Sequence, residues 1–192
     1  MRLARPALAV ALLAFAAPAL AHPGHDPASA GFVAGLLHPL LGIDHLLAMT
    51  IVGVWAAQLG GRALWLLPTS FVTLMAVGGI AAMNGFVPPH IEAGIAASLL
   101  VLGVLVAMRG QMPTPAAMSL TAAFALFHGA AHGQELPSLA SPAAYAIGFV
   151  LATAALHGAG LGIGLASRRH HGHVARLAGA LTAAAGVAFA FA

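Results

Sequence analysis

The chain has 192 residues, of which 61% are hydrophobic and 6% charged, and its mean hydropathy is +0.98. Soluble domains of this size are not that apolar, whereas repeated apolar runs of about 18 or more residues mark membrane helices. Seven arginines, no lysine and four acids give a formal charge of +3, too sparse a basic surface for nucleic acid. The lack of cysteine confines any metal site to His, carboxylate, Met or backbone ligands.

Residues 1–21 read as a cleavable secretory signal. Arg2 and Arg5 charge its start, Ala7 to Ala17 form its apolar middle, and Ala19-Leu20-Ala21 is a small-residue cleavage site. An uncleaved first helix is the alternative. Cleavage makes His22 the new N-terminus of a tail over residues 22–32, followed by Pro23, Gly24, His25 and Asp26. A free α-amine beside an imidazole chelates divalent metal, so His22 and His25 are candidate access residues; a solvated tail that binds nothing is the other reading.

After the signal and the tail, residues 33–192 read as an all-α polytopic membrane bundle. Six hydrophobic segments are predicted over 33–58, 63–83, 91–109, 115–135, 142–166 and 173–192. Gly60-Gly61, Asn84-Gly85 with Pro88-Pro89, Gly110 with Pro113, Pro137 with Ser141-Pro142, and the Arg168–His173 cluster supply the breaks.

The first segment carries His38-Pro-Leu-Leu-Gly-Ile-Asp44-His45. An ionisable residue at the centre of a membrane helix costs about 2.5–3.5 kcal/mol on insertion scales, so Asp44 and His45 need compensation inside the bundle. On a straight helix His38 and His45 share a face about 10 Å apart, too far for one ion. Pro39 invites a bend that brings them closer. A His–Asp pair that only fixes packing is the plainer reading.

The second and third segments have no ionisable residue deep in the apolar run. His90 and Glu92 at the start of the third suit a solvated helix start or a cation-collecting mouth. The fourth segment ends in Phe127-His128-Gly-Ala-Ala-His132-Gly-Gln-Glu135. His128 and His132 at i, i+4 share a face with Glu135 and can converge on one metal, while small residues between them let a neighbouring helix approach. His157, in a glycine-rich fifth segment, is a path residue nearer the cytoplasm or a core His bonded to a backbone carbonyl. His170, His171 and His173 read as a solvated basic turn, and the last segment reads as packing.

A cleaved signal puts the mature N-terminus in the periplasm. Six crossings then put Arg62, Arg109, Arg168, Arg169 and Arg176 on the cytoplasmic side and Asp26, Glu92 and Glu135 outside, as the positive-inside rule asks, with the C-terminus periplasmic. The two sets of three segments have opposite orientation and each begins with its metal-type residues, which suits an inverted repeat.

With both motifs in view, the chain resembles the HupE/UreJ family of bacterial nickel permeases. His38-x5-Asp44-His45, the Phe127–Glu135 motif and the His-containing mature start carry the likeness, which covers nearly the whole chain. The resemblance implies nickel uptake, with cobalt in some members, through His38, Asp44, His45, His128, His132 and Glu135. It also implies a link to hydrogenase or urease maturation. The expected protein is an inner-membrane permease, not an enzyme, with no prosthetic cofactor, Ni2+ or Co2+ as cargo, and the lipid bilayer as partner. No P-loop for ATP occurs in the chain. The rivals are an intramembrane zinc-dependent metalloenzyme, against which the missing H-E-x-x-H counts, and a metal-sensing or accessory subunit that binds without conducting.

Overall fold

The computed structural model describes residues 27–135, 141–168 and 172–192. The expected signal, His22, His25, Asp26, Arg169, His170 and His171 lie outside the described residues. Among the described residues are seven helices: α1 Pro27–Leu41, α2 Ile43–Leu59, α3 Ala63–Met83, α4 Ile91–Ala107, α5 Thr114–Glu135, α6 Pro142–Ser167 and α7 His173–Ala190. Five of the six expected segments appear as single helices. The first is two, and it begins at Pro27, inside the stretch expected to be tail; proline is favoured at a first helical position, where its missing N–H has no partner to lose.

α3, α6 and α7 are each long and apolar enough to cross a membrane, and α1 with α2 meets the same criterion as a pair bent by 77°. α4 is apolar but has only 17 residues, and α5 has 22 and carries the His-rich motif. The bundle has an apolar surface around a core that mixes apolar and polar side chains. Leu151, Ile147, Leu177 and Leu181 are exposed, whereas His45, Ser98, Thr121, His128, His132, Thr153 and His157 are buried. An apolar surface of that extent calls for lipid as its solvent. The protein is a membrane protein.

The bend falls at Gly42, three residues beyond Pro39, which stays inside α1. Gly42 leaves the helical region, with φ −79° and ψ 110°. Its N–H still donates to the His38 carbonyl at 3.1 Å, and its carbonyl accepts from Leu46 N–H at 2.9 Å. One extended residue therefore swings the axis while both flanking helices keep their ladders, and Asp44 lands in the first turn of α2, where a helix favours an acid.

Helices pair through glycine. A Cβ on Gly35 would meet the Tyr145 carbonyl, one on Gly160 the Thr50 carbonyl, and one on Gly129 the Met75 carbonyl. With no hydrophobic drive between helices in lipid, backbone approach at small residues is what holds such pairs. Gly35 beside Tyr145 and Thr50 beside Gly160 make α1 and α2 run parallel to α6. Ser70 beside Thr121 at 3.3 Å and Ala82 beside Gly133 make α3 parallel to α5. Gly103 beside Gly179 and Leu100 beside Gly186 make α4 antiparallel to α7. Exchanging segments one to three for four to six turns the first pairing into the second and returns the third to itself. That is the pairing an inverted repeat requires.

At one end of the bundle, Arg, Gln and Trp side chains donate to carbonyls at or just past the ends of neighbouring helices, a favourable place for positive charge. Arg168 donates to the Ala57 carbonyl. Arg176 Nε reaches Ala107 O at 3.1 Å, Gln58 Nε2 reaches Val106 O at 3.1 Å, and Trp55 Nε1 reaches Gly110 O at 3.2 Å. Arg109 lies against Gly172. The arginines between helices thus gather on one side, as the sequence pattern requires.

Replacing Gly160 by Val should destabilise the bundle by about 1–3 kcal/mol through overpacking. Gly162→Val, at an exposed position with nothing within 4 Å of its Cβ site, should change stability by less than about 0.5 kcal/mol. Thermal unfolding in detergent checks the contrast.

Candidate functional site

Four imidazoles from the two expected motifs meet near the bend. The His45 ring centre is 4.2 Å from that of His132 and 4.9 Å from that of His128. His38 is 4.7 Å from His132 and 6.1 Å from His45. The last distance is well inside the straight-helix spacing, and the break at Gly42 is the reason. α1 and α2 are held on α6 while α5 is held on α3, so the cluster sits where the two parallel pairs face each other. Asp44 joins it by a 2.9 Å contact between its Oδ1 and His45 Nδ1.

Aromatic rings wall the cluster. Phe149 lies 4.1 Å from His132, and Tyr145, stacked on Phe149, lies 6.1 Å from His38. On the other side Phe71 stands 5.7 Å from His128 and 5.3 Å from His157. A cavity of about 140 Å³ between α3, α5 and α6 touches the cluster at His132 and is otherwise lined by apolar and aromatic side chains, among them Met75, Ile80, Met83, Tyr145 and Phe149.

Hydrogen bonding fixes which nitrogen carries the proton in the neutral rings. A carboxylate only accepts, so His45 donates Nδ1–H to Asp44 and leaves Nε2 with its lone pair; that Nε2 is buried with no hydrogen-bond partner. The Thr153 carbonyl only accepts, so His157 donates Nδ1–H across 2.8 Å, and its Nε2 is likewise buried and unpartnered. Ser98 Oγ lies 2.7 Å from the Ile95 carbonyl and 2.8 Å from His128 Nε2. With its single proton on that carbonyl, it accepts Nε2–H from His128, whose buried Nδ1 then has no partner in the protein. His132 has both ring nitrogens buried without a partner. A buried polar group without a hydrogen bond costs about 1–3 kcal/mol, and four rings of this bundle have a nitrogen that no protein group partners. Imidazoles whose other nitrogen is tied to a carboxylate, hydroxyl or carbonyl are in the state that metal ligation needs.

The rings are gathered but not closed around a point. Among the described residues no three His, Asp or Glu side chains are placed to hold one ion together. Glu135 ends α5, and its side chain, with its expected place on the His128–His132 face, lies outside what the structure describes. His157 lies beyond Phe71 and is not in direct ring contact with the four. It has the backbone-carbonyl bond of a core histidine together with a bare second nitrogen. His90 and Glu92 are exposed at the start of α4, far along the chain from the bend, and His90 takes the left-handed conformation with φ 57°. Sequence reasoning missed Ser98, Phe71, Tyr145 and Phe149. Ser98 was visible as a lone hydroxyl deep in α4, and Tyr145 and Phe149 as an i, i+4 aromatic pair. Neither signal says which face points at histidine.

Fold and site together define the class: a helical membrane protein with a buried, His-rich chamber at a broken helix. The family model for the HupE / UreJ protein matches residues 10–189. Protein HupE of Rhizobium leguminosarum bv. viciae is 46% identical over 180 residues, covering 92% of this chain and 93% of that protein. The chain belongs to the HupE/UreJ family. No solved structure matches it.

His132→Leu should raise the melting temperature of the metal-free protein, since it removes two unmet nitrogens. At about 2–4 °C per kcal/mol for a chain of this size, a rise of a few degrees is expected in a detergent melt. A lowered melting temperature would mean that the ring is a packing element.

Proposed function

We propose that this chain is an inner-membrane permease that takes up a divalent transition-metal cation, Ni2+ or Co2+, through the chamber formed by His38, Asp44, His45, His128 and His132. The observation that carries this reading is the set of buried, unpartnered ring nitrogens contributed by two separate hydrophobic segments at the same depth. Neutral imidazole with carboxylate suits nickel, cobalt or zinc far better than magnesium. Asp44 supplies negative charge beside His45 and orients its ring, which raises the basicity of the bare Nε2. Loading requires small rotations that turn the gathered rings toward one point. A site that closes only when filled fits a permease, because a rigid, complete cage would trap its ion.

In this reading residues 1–21 are removed, the six hydrophobic segments each cross the bilayer, and the arginine-rich end faces the cytoplasm. The N- and C-termini are then periplasmic. His22 and His25 in the tail and Glu135 at the end of α5 would draw ions toward the chamber, and His157, past Phe71, is the next nitrogen on the way inward. With no ATP-binding motif in the chain, flux runs down a gradient or by coupling to another ion. The delivered metal would serve hydrogenase or urease maturation, and the chain itself would catalyse no reaction.

Uptake of labelled nickel and cobalt into proteoliposomes tests the proposal. Wild type should conduct, and Asp44→Asn and His132→Ala should each lower flux at least tenfold, in line with the usual loss when a ligand or its orienting group is removed. Equal flux in all three would remove the chamber from the path. Binding without flux would make the protein a sensor or accessory subunit, and stoichiometric zinc with hydrolytic turnover would make it an enzyme.

A further inference from the structure

We propose that Ser98 is a positioning residue for the chamber, holding His128 in the Nε2–H tautomer so that Nδ1 is the atom offered to the metal. The inference rests on the metal-binding reading of the histidine cluster and adds to it a residue from a helix that brings no ionisable group to the chamber. Ser98 is fully buried in the middle of α4. Its hydroxyl has one proton, and the Ile95 carbonyl one turn back, at 2.7 Å, can only accept it. With the proton on that carbonyl, what the oxygen offers His128 Nε2 at 2.8 Å is a lone pair, and the ring donates. Were the hydroxyl reversed toward the ring, the ring proton would move to Nδ1 and cap the lone pair that is now bare.

The three fixed rings of the bundle differ in what orients them: a carboxylate for His45, a backbone carbonyl for His157 and a carbonyl-backed hydroxyl for His128. The hydroxyl is the weakest acceptor of the three and the only one that can be removed without touching charge or backbone. It is also a side-chain link from the α4–α7 pair to the chamber, tying the third helix pair to a site otherwise built by the other two.

The test uses the purified full-length chain with 15N-labelled histidine, comparing wild type with Ser98→Thr, Ser98→Val and Ser98→Ala. Thr and Val match in shape, and only Thr keeps a hydroxyl. Nitrogen chemical shifts report the His128 tautomer, and calorimetric titration with Ni2+ reports affinity. Ser98→Thr should retain the Nε2–H signature and near-wild-type binding. Ser98→Val should mix or invert the tautomer and weaken nickel binding roughly tenfold. Ser98→Ala, which adds no volume, should do the same if Val does not fold. An unchanged tautomer and affinity in Ser98→Ala would overturn the proposal, as would equal losses in Thr and Val, which would mark a packing role. Lack of nickel flux through wild type, with these tautomer and affinity effects present, would overturn transport and leave the role of Ser98 standing.

Discussion

Everything in this bundle turns on how an apolar solvent treats a bare nitrogen. In water an imidazole without a protein partner costs nothing; inside a lipid-embedded bundle it forfeits a hydrogen bond with no replacement. His45, His128, His132 and His157 all have such nitrogens, and three of them have their other nitrogen tied to an acceptor. A chain selected only for stability would have placed Leu or Phe at these positions. Keeping the polar rings, and surrounding them with Phe71, Tyr145 and Phe149, leaves ring nitrogens that no protein group meets. In the proposed function a divalent cation would meet lone pairs of several rings at once.

The rest of the architecture brings the rings to this place. Glycines on α1, α2, α3, α5 and α6 let backbones touch, so two parallel pairs form, each with one motif helix and one glycine-rich supporter. The extended backbone at Gly42 then lowers the His38–His45 separation and puts Asp44 at a helix start. Neither device works alone. Without the close pairs the two motifs would stand apart, and without the break His38 would sit two turns from His45. The arginine, Gln58 and Trp55 bonds to helix C-termini fasten the opposite end, where α2, α4, α6 and α7 meet.

Much of this was legible in the residues. The limits of the last five helices followed from apolar runs and turn chemistry, because in lipid a helix must satisfy its own backbone and little else competes. The two motifs stood out because charge and imidazole are rare in spans, and the i, i+4 spacing put His128 and His132 on one face. The site of the break was less legible. Pro39 advertised it, yet the ladder survives there and yields at Gly42, where any added Cβ would lie 3.1 Å from Asp44 Oδ1 and 3.2 Å from His45 Nδ1. Ser98 was not legible as a functional residue, since a hydroxyl in a membrane helix ordinarily bonds its own i−3 or i−4 carbonyl. Ser98 does that too, and only the fold reveals the histidine on its other side.

The most direct measurement is an anomalous-scattering map, collected at the nickel edge, from crystals of the full-length chain grown with Ni2+. The account predicts a peak among the rings of His38, His45, His128 and His132, about 2 Å from at least two of their nitrogens. Peaks confined to the N-terminal tail or the outer surface, with the chamber rings unmoved and unoccupied at saturating nickel, would contradict it.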